Sequence, residues 1–72
     1  MTVRMSHLSV GDKVNYDPGH GHPENGIVKE IRENNIEAVF VVYNCAGDWK
    51  NYQKYTSALT NLRDLNKGWF GI

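Results

Sequence analysis

One stretch of the chain groups side chains that could bind a metal ion. His20 and His22 lie two positions apart and can share one side of an extended segment, with Asp17 and Glu24 beside them. Histidine and carboxylate are ordinary ligands for zinc and related metals. The glycines and prolines of this stretch predict a flexible loop, which would have to become ordered before it could bind an ion. We therefore interpret it as a solvated polar loop and expect no metal and no other cofactor.

Cys45 is the one thiol of the chain. Catalysis by a thiol needs a base within hydrogen-bond reach and a group that orients the base, and His20 or His22 is the candidate base. Cys45 ends an apolar run, however, where a free cysteine behaves as a small hydrophobic residue. Sequence signatures of serine hydrolases, phosphate loops and dinucleotide sites are absent. We expect a protein that is not an enzyme, in a reducing compartment.

Two Trp, four Tyr and two Phe are a heavy aromatic load for 72 residues. Phe40, in the middle of an apolar run, and Trp69, in the closing strand, are expected in the core. Four others flank loops and cannot all fit the interior of a small barrel: Tyr16, Trp49, Tyr52 and Tyr55. Half-exposed Tyr and Trp form recognition surfaces, because they bury much area at little cost in rotamer freedom. We predict a partner-binding surface of nine residues: Tyr16, His20, His22, Tyr43, Trp49, Lys50, Tyr52, Lys54 and Tyr55.

Two classes of ligand fit this predicted surface. A peptide or protein could lie across the aromatic side chains or pair with an open strand edge. Single-stranded nucleic acid could stack on the aromatic rings while Lys50, Lys54, Arg63 and Lys67 hold its phosphates. The formal net charge of zero gives no general attraction to nucleic acid or to an anionic membrane. We therefore favour a protein partner and keep nucleic acid as the alternative.

The elements that must position these side chains are predicted to be strands. Short apolar runs alternate with Gly, Pro and Asn, and no window keeps a helical period over three turns. The predicted strands are 12–16, 26–33, 36–43 and 56–60, with a closing strand that begins at Trp69. The predicted connections are a loop at 17–25, a hairpin turn at Asn34-Asn35, a connector or short strand at 49–55, a helical turn at 61–65 capped by Asn61 or Thr60, and a last turn at 66–68.

Three segments of the chain carry a resemblance to a known fold. They are Leu8-x-x-Gly11-Asp12-x-Val14-x-Tyr16, Glu24-Asn25-Gly26-Ile27-Val28-Lys29-x-Ile31 and Asn61-Leu62-x-x-Leu65-x-x-Gly68-Trp69. These segments resemble SH3-like barrels of the KOW and Tudor-like type. The resemblance implies an all-β, five-stranded SH3-like barrel with a single short helical turn before the last strand.

A second resemblance concerns function. The chain is similar to small uncharacterised proteins encoded by bacteriophages and prophages, in which an Asn-Gly-Ile-Val strand precedes Tyr-Asn-Cys and Trp-x-Asn-Tyr segments. These segments stand here at 25–28, 43–45 and 49–52. The resemblance implies a phage or mobile-element protein that docks on a protein partner and modulates it, host machinery or defence systems included. A KOW-like nucleic-acid-binding module is the alternative.

Length and composition set the remaining expectations. With 72 residues, 40% hydrophobic and 22% charged, the chain suits one small soluble domain. We expect that domain to span 8–72 and residues 1–7 to be frayed. No run approaches the roughly 18 apolar residues of a membrane span, so we expect no membrane contact and a cytoplasmic protein, in the bacterial host if a phage encodes it. The oligomeric state stays open.

Overall fold

The fold is all-β. A computed structural model describes residues 8–19, 21–34 and 37–71, so the predicted fraying of 1–7 lies outside the described residues. Five strands form one antiparallel sheet in the order β4-β3-β2-β1-β5. They are β1 (Lys13–Tyr16), β2 (Glu24–Glu30), β3 (Ala38–Val42), β4 (Ala58–Asn61) and β5 (Leu65–Lys67). The predicted five-stranded all-β class is confirmed.

Two 3₁₀ segments join the strands. The 3₁₀ connector (Trp49–Lys54) follows β3, which excludes the short strand considered for this stretch. The 3₁₀ turn (Leu62–Asp64) precedes the last strand as predicted, so the described residues contain two short helical segments where one was predicted. Asn61 precedes this turn with extended backbone, but its side chain makes no capping hydrogen bond. The predicted side-chain cap is therefore wrong at Asn61.

The sheet curls strongly. The 3₁₀ turn carries the chain from β4 at one edge of the sheet to β5 at the other. At about 2 Å of rise per residue, the four steps from Asn61 to Leu65 span only about 8 Å. The outer strands of a flat five-stranded sheet lie about 19 Å apart. The two edges must therefore approach each other. Within the described ranges β4 and β5 are not paired, so we describe a curled sheet without a closed ladder.

The main core cluster lies on one face of this curled sheet, and Ile27 and Val42 are buried outside this cluster. Branched side chains alternate inward along the central strands, and Val14, Val28, Val39, Val41 and Leu65 have 0% exposure. Leu8 and Leu62 complete the buried cluster, and Tyr16, Ile31 and Tyr43 pack against it. We call this the core face. Burial of a row of β-branched residues is what holds a sheet of this size together, because strand pairing alone is marginal in water.

Phe40 is not a core residue, contrary to prediction. It lies between Val39 and Val41 in β3, and successive strand residues point to opposite faces. Since Val39 and Val41 take the core face, Phe40 takes the outer face, where it is half-buried. The guanidinium carbon of Arg32 lies 4.7 Å from the centroid of its ring. The sequence alone offered no way to choose which parity of this uniformly apolar strand would be buried.

Strand β2 begins two residues earlier than predicted. Glu24 and Asn25, assigned to the loop, pair with Tyr16 and Asn15 of β1. At its other end β2 stops at Glu30 after a register shift that follows Val28. Of the predicted Asn34-Asn35 turn, Asn34 lies in a turn and Asn35 is outside the described residues. Cross-strand hydrogen bonds, and not propensity, extended the strand into the polar segment.

The closing strand differs from prediction. It is Leu65–Lys67, in the stretch expected to be a turn, and Trp69 lies after it. Asn side chains of the first two strands hold the following segment: Asn15 Nδ2 donates to the Gly68 carbonyl oxygen at 3.0 Å, and Asn25 both donates to the carbonyl oxygen of Phe70 and accepts from its N–H. Phe70 remains 60% exposed. Side-chain hydrogen bonds replace the predicted strand there.

Candidate functional site

Two of the nine predicted surface residues meet at one end of the core face. Tyr16 ends β1, and Tyr43 directly follows β3. Their ring centroids are 6.0 Å apart with an interplanar angle of 64°, an edge-to-face pair. Both rings are half-buried. They close the end of the core and still present aromatic surface to solvent.

The tyrosine pair borders a groove with a volume of about 330 Å³, which we call the tyrosine groove. All four residues of strand β4 contribute to it, together with one residue from β2 and one from the 3₁₀ turn. Its lining residues are Tyr16, Glu24, Tyr43, Ala58, Leu59, Thr60, Asn61 and Asp64. The groove therefore combines aromatic rings, polar side chains and two carboxylates.

The tyrosine groove carries negative charge. Glu24 and Asp64 line it, and it has no lysine or arginine among its lining residues. Neither carboxylate has an ion-pair partner within the described residues. Burial, chiefly, raises the pKa of Tyr43 to about 12, and the charges of Glu24 and Asp64 add to the increase. Of these two causes, the negative charges of Glu24 and Asp64 would favour a cation, whereas burial disfavours any charged group.

Hydrogen bonds fix both sides of the tyrosine groove. The hydroxyl groups of Tyr43 and Thr60 are 2.8 Å apart, which ties the aromatic side to β4. The N–H of Asp17, next to Tyr16, donates to the carbonyl oxygen of Asp64 at 2.8 Å and holds the 3₁₀ turn against the end of β1. The groove is therefore built by tertiary contacts, and its lining is ordered before any ligand binds.

Trp49 belongs to a different surface. Its ring lies 4.9 Å from that of Trp69, and Lys13 Nζ lies 4.7 Å from the centroid of the Trp69 ring. Trp69 Nε1 also donates to the Gly26 carbonyl oxygen at 2.8 Å. Lys13 alternates with Val14 of the core face, so this tryptophan cluster covers the opposite, outer face of the sheet. The sheet therefore separates Trp49 from Tyr16 and Tyr43, which are all members of the predicted surface.

Tyr52 and Tyr55 have structural contacts. Tyr55 donates its hydroxyl to Asp48 at 2.9 Å, and this hydrogen bond raises the pKa of Tyr55. Lys29 Nζ donates to the Tyr55 carbonyl oxygen, which links the connector to β2. A Cβ atom at Gly11 would lie 3.3 Å from the Tyr52 hydroxyl, so Tyr52 lies against the turn that precedes β1. These two tyrosines hold the 3₁₀ connector in place.

The other predicted site residues are dispersed. Lys50 and Lys54 are exposed on the 3₁₀ connector, and His22 is exposed in the loop before β2. The predicted site residue His20 lies outside the described residues. In the described part of the chain, no three His, Cys, Asp or Glu side chains form a group that could hold a metal ion. The free thiol of Cys45 is buried, with 2% exposure.

The sequence missed most of the groove. Asp64, Thr60 and Leu59 were not singled out as site residues, and Glu24 was considered only as a metal ligand. The register of β1 with β2 places Glu24 directly opposite Tyr16. That pairing was detectable in principle, because a hairpin whose strands flank the 17–23 loop brings these two positions together. The approach of β4 and Asp64 depends on the curl of the whole sheet.

The chain matches no protein-family model, no curated protein and no solved structure. Of the helices in the described residues, none has the length and apolar character needed to cross a membrane.

Proposed function

We propose that this protein is a non-enzymatic binding module that docks on a protein partner through the tyrosine groove. The SH3-like part of the proposal is supported by the five antiparallel strands, the curl of the sheet and the 3₁₀ turn before the last strand. A phage or mobile-element origin, with action in the host cytoplasm on host machinery or defence, rests on the sequence resemblance. The observation that carries the function is the acidic, aromatic groove.

The chemistry of the groove favours a cationic side chain. Tyr16 and Tyr43 supply aromatic surface on which the stem of a lysine or arginine can pack. Glu24 and Asp64, which form no ion pair with any other residue that the structure describes, supply carboxylates for its charged end. A volume of about 330 Å³ suits a small number of inserted side chains and not a large folded surface. A basic residue on a protein partner therefore fits the site.

The same charges disfavour nucleic acid at this groove. Phosphates would face Glu24 and Asp64, with no cation in the lining to hold them. The lysines that were considered for phosphate binding, Lys50 and Lys54, lie on the 3₁₀ connector and are not part of the groove. Binding of nucleic acid is therefore the result that would contradict the proposal.

A charge-reversal experiment tests the proposed docking. The tagged parent chain and its Glu24→Arg variant are used to capture proteins from a bacterial lysate, and binding of each captured protein is then measured with purified components. A partner of the groove should bind the variant at least about tenfold more weakly, equivalent to about 1.4 kcal/mol. Equal binding by parent and variant would contradict docking at the groove.

Glu33→Arg is the matched control. It makes the same change of charge at an exposed turn residue outside the groove, and we expect binding to be unchanged. A single-stranded oligothymidine tests the alternative ligand. Submicromolar affinity for it at physiological salt, lost on charge reversal of Lys50 and Lys54, would favour the nucleic-acid function, with a salt slope of about 0.7 per phosphate contact.

A further inference from the structure

Strand β4 is an edge strand whose outward backbone groups can be identified. Leu62 N–H donates to the Glu37 carbonyl oxygen at 2.8 Å, and the register then runs Ala38↔Asn61, Val39↔Thr60, Phe40↔Leu59. Hydrogen-bonded and non-bonded pairs alternate along an antiparallel ladder. Thr60 therefore exchanges hydrogen bonds with Val39, whereas the backbone polar groups of Leu59 and Asn61 point away from β3.

These outward groups form an available pairing edge. In the described parts of the chain, no other segment bonds the N–H or the carbonyl of Leu59, or the N–H of Asn61. Proteins commonly protect exposed edges with Lys, Pro or a bulge, and β4 contains none of these. Leu59 itself is 55% exposed. The edge is short, but its backbone and its one large apolar side chain are both accessible.

This edge borders the tyrosine groove, since all four residues of β4 line it. We propose that the partner segment is an extended strand that pairs with β4 and places a lysine or arginine in the groove. The inference rests on the proposed docking function and specifies how the partner binds. Its two supports are independent: unpaired backbone groups at Leu59 and Asn61, and charge complementarity with Glu24 and Asp64.

Strand geometry restricts which partner residue carries the charge. Side chains directly opposite each other in paired strands share a face. Thr60 takes the core face, because it pairs with Val39 and its hydroxyl reaches Tyr43. Ala58 takes the same face through its pair with Val41, and we place the basic residue of the partner opposite Thr60, whose hydroxyl group reaches Tyr43. The two neighbours of that basic residue direct their side chains to the outer face, beside Leu59 and Asn61, where Phe40 supplies an apolar surface.

A synthetic strand provides the probe. It is a blocked heptapeptide of alternating threonine and valine whose central residue is lysine, titrated into the isotopically labelled parent chain and followed by NMR. We expect shifts at the amides of Leu59 and Asn61 and protection of those amides from hydrogen exchange. The same peptide with a central glutamate should bind at least about tenfold more weakly, because it would face two carboxylates.

Backbone N-methylation distinguishes strand pairing from side-chain docking. Methylation at one alternate set of peptide positions should abolish binding, and methylation at the other set should leave it within about threefold, because only every second N–H of an added strand faces its neighbour. Equal tolerance of both sets would overturn strand pairing while leaving groove docking intact. Absence of any shift at β4 with millimolar peptide would also overturn the inference, whereas the lysate experiment with Glu24→Arg tests docking separately.

A proline at the edge gives a second test in the protein itself. Leu59→Pro removes the outward N–H without removing a bond to β3, and proline is tolerated on edge strands when its N–H side faces solvent. We expect this variant to lose peptide binding, with Leu59→Ala as the control for the lost side chain. If Leu59→Pro remains folded and binds the peptide as tightly as Leu59→Ala does, the partner does not pair with β4. If Leu59→Pro unfolds, the N-methylated peptides test strand pairing in its place.

Discussion

Tyr43 links the core of this protein to its candidate site. Its ring packs against the buried cluster and pairs with Tyr16, while its hydroxyl group meets Thr60 in the groove. Tyrosine suits this position because one end of the side chain is apolar and the other forms hydrogen bonds. Phenylalanine would keep the packing but leave Thr60 without this partner.

The ionisation of Tyr43 gives a prediction at this scale. Its pKa is raised to about 12 from 10.0, mainly by burial. Between these values the unfolded chain releases a proton that the folded chain keeps, so the free energy of unfolding should fall as pH rises from 10 to 12. This contribution is fully present below pH 10. Tyrosinate absorbance should show one residue titrating near pH 12, and Tyr43→Phe should lose that step.

The remaining tyrosines provide the internal comparison. Tyr43→Phe removes one of the four tyrosines of the chain, so the difference between the two absorbance curves isolates the Tyr43 step. Identical absorbance curves near pH 12 for the parent and Tyr43→Phe, in a protein that circular dichroism shows to be folded, would contradict the burial of Tyr43.

At the scale of elements, alternation along a strand decides what each side chain does. Val39 and Val41 of β3 take the core face and are fully buried, whereas Phe40 between them takes the outer face under Arg32. Leu65 of β5 is also fully buried and belongs to the core cluster. Phe40 is the largest of these residues, so size alone would predict that its side chain contributes most to the stability of the fold. Its position on the outer face predicts that it contributes least.

Two alanine substitutions test this ranking. Leu65→Ala should destabilise the fold by about 2 to 5 kcal/mol, the range for emptying a buried leucine site. A protein of 72 residues has a total stability of about 4 to 11 kcal/mol, so this variant should be near unfolding. Phe40→Ala should cost about 1 kcal/mol. Urea denaturation measures both, and an equal or larger loss for Phe40→Ala would place that ring in the core.

At the scale of the whole molecule, the fold depends on pairing between distant segments. Strand β1 pairs with β5, and the bonded side chains of Asn15 and Asn66 are 51 positions apart in the chain. The curl that forms the tyrosine groove needs this pairing and the 3₁₀ turn together. The groove should therefore exist only when the entire sheet is formed, and partner binding should stabilise the whole domain.

Folding kinetics should reflect this topology. Sheets with non-local strand pairing fold in milliseconds to seconds, because the chain loses the entropy of long loops before the stabilising contacts form. Stopped-flow refolding followed by tryptophan fluorescence should show a main phase in that range, since the stacking of Trp49 on Trp69 also depends on the complete sheet. A main phase in microseconds would indicate that the signal reports local structure in the 3₁₀ connector and not the sheet.

The sequence by itself determined the all-β class, the approximate positions of β1 to β4 and the turn before the last strand. Those features depend on local patterns: β-branched runs, polar punctuation and short range hydrogen bonding. It also identified Tyr16 and Tyr43 as surface aromatic residues. The tertiary structure decided which residues accompany them, because register sets Glu24 opposite Tyr16 and curl brings in Asp64 and β4.

The dependence on contacts between distant residues also explains which predictions were wrong. Phe40 and Trp69 were expected in the core but are half-buried on the outer face, because parity in an apolar strand and the face covered by a later segment depend on contacts between distant residues. The last strand was misplaced because Leu65–Lys67 has little intrinsic strand preference and is held by its pairing with β1. Local pattern thus specified which elements form, and long-range pairing determined the face, the edge and the groove that those elements present.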